Sequence, residues 1–332
     1  MLKTILSAFS SSVGGQAVME GVMMRDGDNL AIAVRKQSGD IKVEVRPWFS
    51  MMRYNWMKKP YVRGFPILVE TMVNGIKALN FSAQEALDEE EEEVGSWALA
   101  GTVAFAVVMA LGLFVVLPHL VSMAFNALGW AGGVKSLSFH AWDGLFKFVV
   151  FVGYILAISL VPDIRRVFQY HGAEHKSIWA YESGGHLTPA EAKKFSRLHP
   201  RCGTTFLLFV LAISIVLYAV LVPALLFIWS PEGTIWRQLY ALLLKLVFMV
   251  PVSCVAYELI KAAGKHQDKL LFRVLSWPGM FMQLLTTHEP DEQQLQVAIA
   301  ALKGAVGERV DKADVSAADT AGGSASGACP CR

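Results

Sequence analysis

Between Trp97 and Val121 the chain carries no charged residue, and between Gly203 and Ser230 it again carries none. Each run exceeds the roughly 20 apolar residues that a helix needs to cross a bilayer core. Two further runs, Leu145 to Val161 and Leu239 to Tyr257, are as apolar, but each has one lysine near its start, Lys147 and Lys245. A lysine there snorkels to the interface or lies buried in a helix bundle. The pattern therefore predicts four transmembrane helices.

Other periods surround them. Residues 13–47 read as a β-meander with strands Ala17 to Met24, Leu30 to Lys36 and Ile41 to Arg46, separated by turn-forming residues at 26–29 and 37–40. The alternation in IKVEVR suits a half-buried hairpin. Gly64 to Glu93 reads as a helix ending in the acidic run Asp88 to Glu93, a solvated helix end. The stretch from Pro162 to Arg201 is too long and too patterned for a plain connection. Within it, Thr188-Pro189-Ala190-Glu191 is a capping box that predicts a short helix to about Arg197. Val274 to Leu285 is apolar but too short to span, so it reads as an interfacial or re-entrant helix. Asp291 to Glu308 predicts one more amphipathic helix, and the Ala/Gly/Ser-rich remainder predicts disorder. The fold class is thus a mainly α, polytopic membrane protein with a small N-terminal β-meander. Its segments are 1–94, a membrane region 95–260 with an insertion at 163–201, interfacial helices at 261–309 and a tail at 310–332.

Composition agrees, since 54% hydrophobic residues exceed the usual share in a soluble chain. A net charge of +2 gives no case for a nucleic-acid partner. Where the charges fall is more telling. Between the second and third spans lie Arg165, Arg166, Lys176, Lys193, Lys194, Arg197 and Arg201, whereas residues 122–144 hold only Lys135 and residues 231–238 only Arg237. Cytoplasmic loops carry the basic excess. This predicts a multi-pass protein of the bacterial inner membrane, with the lipid bilayer as its partner and with the middle loop and both termini in the cytoplasm. The start, MLKTILSAFSSSVGG, does not read as a signal peptide. Cys202, Cys254, Cys329 and Cys331 fall on the cytoplasmic side or within a span, so no disulfide framework is expected.

Candidate chemistry concentrates in Tyr170 to Glu182. On a helix, His171, Glu174, His175, Ile178 and Glu182 share one face. Two histidines at i and i+4 can chelate a divalent metal such as zinc, with the intervening Glu174 placed as general base, which is the logic of the H-x-x-E-H pattern. The alternative is a solvated face with two unliganded histidines. A two-histidine chelate needs a further ligand, and His199, Cys202 and Glu258 all lie near the cytoplasmic ends of spans. Each has a simpler reading, as an interfacial histidine, a packing cysteine and a carboxylate paired with Lys261. Glu20 and Glu70 interrupt apolar stretches and read as partners of Arg25 or Arg63. Glu289 reads as a turn residue, and Cys329-Pro330-Cys331 as a weak soft-metal site at best.

The segments GGQAVMEGVMMR, RGFPILVETMVNGIKAL, HGAEHKSIWAYE, HPRCGTTF and TTHEPDEQQLQVAI, in this order around four spans, resemble the YqhQ-like family of bacterial membrane proteins over about residues 13–305. The resemblance implies a metal-dependent membrane enzyme and names no substrate. The expected function is a metal-dependent hydrolase at the cytoplasmic face, acting on a peptide, ester or phosphoester through Glu174. The competing expectation is a scaffold or receptor in which a metal merely staples the cytoplasmic elements and the meander binds a protein partner. A transporter is less favoured, because the spans show few ionisable residues.

Overall fold

Strands β1 (Gly14–Val18), β2 (Gly21–Asp26), β3 (Asn29–Arg35) and β4 (Ile41–Pro47) form one antiparallel sheet in sequence order. The computed structural model describes residues 13–52, 54–86, 96–200, 202–265 and 269–308. The expected three strands are four because Glu20 adopts the left-handed conformation at φ 47°. That turn folds Val18 back opposite Gly21 and splits the first strand in two.

Both faces of the sheet are covered. Helix α1 (Gly64–Ala86) closes one face, where Val18, Met23, Leu30, Ile32, Val34 and Trp48 pack with Ala78 and Phe81. The last helix, at Glu292–Val306, closes the other face over Val22, Met24, Ala31 and Ala33. Burial on both sides explains why β2 and β3 are near-continuous apolar runs. Expected to be amphipathic, that last helix is instead buried almost all round from Gln294 to Leu302.

The membrane region begins with α2 (Ser96–Leu111), which continues through a π-helical turn at Gly112–Val116 into α3 (Leu117–Ala127). Next come α4 (Leu137–Ser159), α5 (Pro162–Glu182) and the single turn α6 (Pro189–Ala192). The chain then forms α7 (Gly203–Ile228), α8 (Thr234–Lys265), α9 (Leu270–Thr286) and α10, the Glu292–Val306 helix already described. Four stretches are long and apolar enough to cross a membrane: Ala100–Ala127, Leu137–Ser159, Gly203–Ile228 and Thr234–Ala263. Along α9, Leu270, Val274, Trp277 and Phe281 are exposed on one side, while Met282, Gln283 and Thr286 are buried.

Helix α6 carries the expected Thr188 cap but stops far short of Arg197. Its continuation is taken apart by α5. Lys176 Nζ donates to the Lys193 carbonyl, Trp179 Nε1 to that of Leu198, and His175 Nδ1 bonds that of Arg197. The 193–198 stretch is thereby wrapped against α5. Helix α5 itself packs on β1, β2 and α10, so the insertion is part of the sheet layer. The acidic run at 88–93 and the tail with Cys329 and Cys331 lie outside the described residues.

Candidate metal centre

Helix α5 starts at Pro162, directly after α4 ends, and α7 begins at Gly203, so both sit at the same end of the bundle. His171 and His175 project from successive turns of α5 towards Cys202, which caps the N-terminus of α7. One ring nitrogen of each histidine and the Cys202 Sγ lie within 4.8 Å of one another. His171 Nε2 is 3.1 Å from that sulfur.

The other ring nitrogens orient the pair. His171 Nδ1 bonds the Thr286 carbonyl at 2.8 Å, and His175 Nδ1 bonds the Arg197 carbonyl at 2.5 Å. A carbonyl only accepts, so each Nδ1 carries the proton and each Nε2 keeps its lone pair for the interior. Metal-binding histidines are held in this way. Glu174 Oε2 is buried and makes no hydrogen bond among the described residues, and the buried His175 Nε2 faces the Cys202 thiol.

Electrostatics follow from burial. Burial, only partly opposed by nearby His171, pushes the Glu174 carboxyl up to about 8. Burial, helped by the neighbouring His171, holds His175 below the ordinary imidazole range. For Cys202, burial works against the thiolate, but His175 and the hydroxyl and N–H of Thr204 outweigh it and leave the thiol below its ordinary value. Two imidazoles that face a thiol held below its ordinary range are a donor set suited to a borderline-soft divalent ion.

The remaining expected ligands are elsewhere. His199 Nε2 lies 3.5 Å from Glu182 Oε2, its ring packs against Trp179, and burial lowers it to about 4. It borders the three-residue group through His175, with ring centroids 5.7 Å apart, but is not a member of it. Glu258 is held by Arg63, whose Nε and a terminal nitrogen each donate to one carboxylate oxygen at 2.7 Å. Sequence proximity suggested Lys261 as its partner, but α1 packs on α8 and brings the better fork. Glu20 does not pair with Arg25 or Arg63, and Glu70 attracts Arg25 without a direct ion pair. Glu20 binds Arg166 and accepts from Tyr170 Oη at 3.2 Å, latching the β1–β2 turn onto α5. Glu70 accepts from Ser50 Oγ at 2.8 Å and from the backbone of Met51 and Met52 at 2.6 and 3.1 Å. Glu289 is more than a turn residue, because it forms an ion pair with buried Lys176.

Missed by sequence reasoning were the parts that hold the group in place. Gly15 on β1 passes over Glu174 so closely that a Cβ there would lie 2.7 Å from the Met23 carbonyl and 3.0 Å from Glu174 Cδ. Its place in the GGQ segment was the only signal. Gly15→Ala should cost about 1–3 kcal/mol, as overpacking does, visible as a lower melting temperature of the detergent-solubilised protein. An unchanged melting temperature would show that the strand yields freely.

The fold and this grouping define a four-span membrane protein whose His/Cys triad is built where the sheet layer meets one end of the bundle. A family model described as "Protein of unknown function (DUF1385)" matches residues 59–308. The chain is 33% identical over 297 residues to "Uncharacterized protein YqhQ" of Bacillus subtilis, covering 86% of this chain and 89% of that one. It belongs to the DUF1385 family of YqhQ-like proteins. No solved structure matches it.

Proposed function

We propose that the protein is a metal-dependent hydrolase of the bacterial inner membrane, working at the cytoplasmic face with His171, His175 and Cys202 as its metal ligands. The observation that carries this reading is the pair of Nδ1-to-carbonyl bonds that aims both Nε2 atoms at one thiol. Three protein ligands rather than four are the mark of catalytic sites, which keep a position for water or substrate. A divalent ion such as zinc, when bound there, supplies a Lewis acid and an activated water. Glu174, on the turn between the two histidines and with one oxygen unengaged, is the group that takes the proton once a bound cation has drawn its burial-raised carboxyl back down and ionised it. Burial by β1 and α9 excludes bulk water from that transfer, and the hydrogen bonds that the Nδ1–H groups donate to the Thr286 and Arg197 carbonyls keep the imidazoles from turning.

The chelation step has its own test. Removing metal from the purified protein with a strong chelator should lower its melting temperature, and one equivalent of zinc should restore it. No shift in either direction would count against a resident metal. The cytoplasmic placement rests on the basic loop between the second and third spans. Reporters fused after Leu128 or Glu232 should therefore be extracytoplasmic, and those at Gly185 or Gly307 cytoplasmic. The reverse pattern would put the triad outside the cell.

The second reading keeps the metal and drops the chemistry. Each residue of the triad ties separate elements together, α5 to α9 through His171, α5 to the 193–198 stretch through His175, and α5 to α7 through Cys202. A scaffold with a structural ion would be built the same way.

A further inference from the structure

Far from the triad, the spans enclose a second group of ionisable side chains. Asp143 and Lys147 on α4, Lys245 on α8 and His119 on α3 are all at most 5% exposed. Lys245 Nζ donates to Asp143 Oδ1 at 2.7 Å and to His119 Nδ1 at 3.0 Å. Lys147 Nζ lies 3.7 Å from Asp143 Oδ2 and 4.7 Å from the centre of the Tyr218 ring on α7. The Tyr218 hydroxyl faces the Lys245 carbonyl instead, donating to it at 2.8 Å.

The hydrogen bonds have a direction. Lys245 donates to His119 Nδ1, so Nε2 carries the imidazole proton and donates to Gln238 Oε1 at 2.9 Å. Gln238 belongs to the second turn of α8, and Asp143 lies about 9 Å along α4 from its start at a rise of about 1.5 Å per residue. The path therefore opens towards the end of the bundle opposite His171 and Cys202. One turn nearer that end, on facing helices, His140 Nδ1 and Ser122 Oγ are buried and make no hydrogen bond among the described residues. His140 Nε2 is spent on the Val134 carbonyl at 2.9 Å.

Charge decides what such a group can do. Two lysines beside one carboxylate leave one positive charge unmatched in a low-dielectric interior, where unpaired charge is expensive. Losing one proton leaves the group neutral, and gaining it back restores the extra charge. The exchangeable particle is then a proton shared by the set rather than owned by one residue.

We propose that Asp143, Lys147, Lys245 and His119 form a proton-exchange site inside the membrane, loaded and emptied through His119 from the end opposite the triad. On release, the Lys245 ammonium gives a proton to His119 Nδ1 while Nε2 gives its own to water beside Gln238. The products are a Lys245 amine, a His119 imidazole protonated at Nδ1 and one proton in solvent. Uptake runs the same steps backwards and resets the tautomer. Asp143 stays ionised throughout and holds Lys147, whose charge it balances.

Binding a proton within the membrane dielectric displaces charge, so the test is electrical. Full-length protein in liposomes on a solid-supported membrane should give a transient current after a pH step, beyond that of empty liposomes. Lys245→Met should reduce its amplitude at least about tenfold, since the remaining Asp143–Lys147 pair is already neutral. His119→Gln keeps the Lys245–Asp143 bond and so guards against loss of fold. It should slow the transient at least about tenfold. No transient in the wild type, or an undiminished one in Lys245→Met, would overturn the proposal. A transient that follows a chloride step at constant pH in place of the pH step would overturn it as well, and would mark an anion site.

Discussion

His175→Ala should abolish stoichiometric metal binding while leaving the four spans intact. With three ligands at most, the loss of one leaves a two-donor site, and even the loss of an outer hydrogen bond commonly costs 10–100-fold in affinity. The effect on zinc affinity should thus exceed about 100-fold. Alanine also strips the Arg197 carbonyl of its partner, an additional penalty of about 1 kcal/mol for a half-buried acceptor. Metal analysis and thermal melting of the purified variant separate the two. Metal lost with only a modest fall in melting temperature is the expected outcome. Wild-type metal content in His175→Ala would remove this histidine from the site.

Glu174→Gln tests chemistry rather than binding. Glutamine keeps the length of the side chain and its packing under Gly15, yet it cannot accept a proton. Metal content and melting temperature should stay close to wild type. Hydrolysis of whichever amide, ester or phosphoester probe the wild-type protein turns over should fall by about 10²–10⁴, the usual contribution of a positioned general base. A fully active Glu174→Gln protein whose His175→Ala counterpart loses metal would sink the hydrolase and leave the structural ion.

The physical reason that some of this was legible from the chain alone lies in range. The spans were visible because about 20 uncharged residues admit few other solutions in a bilayer. His171, Glu174 and His175 were visible because their proximity depends only on helical spacing. Cys202 was placed by adjacency, being one residue before a span. His199 and Glu258 looked equally suitable, but their partners are chosen by packing, Glu258 by the arrival of Arg63 from the turn before α1 and His199 by Glu182 across the 193–198 wrap. The intramembrane group escaped notice for a related reason. Asp143 lies two residues before the apolar run that begins at Leu145, and His119 is a single polar residue near the end of another. Only the bundle brings them to Lys245. The small ionisable content of the spans, which counted against transport, thus hides a concentrated site.

The central claim, a divalent ion held by His171, His175 and Cys202, is most directly tested by X-ray absorption at the zinc edge on the purified, unchelated protein. It predicts about one zinc per chain, with one sulfur near 2.3 Å and two imidazole nitrogens near 2.0–2.1 Å, the sulfur shell vanishing in Cys202→Ser. Protein that carries no metal, or zinc surrounded only by oxygen, would contradict it.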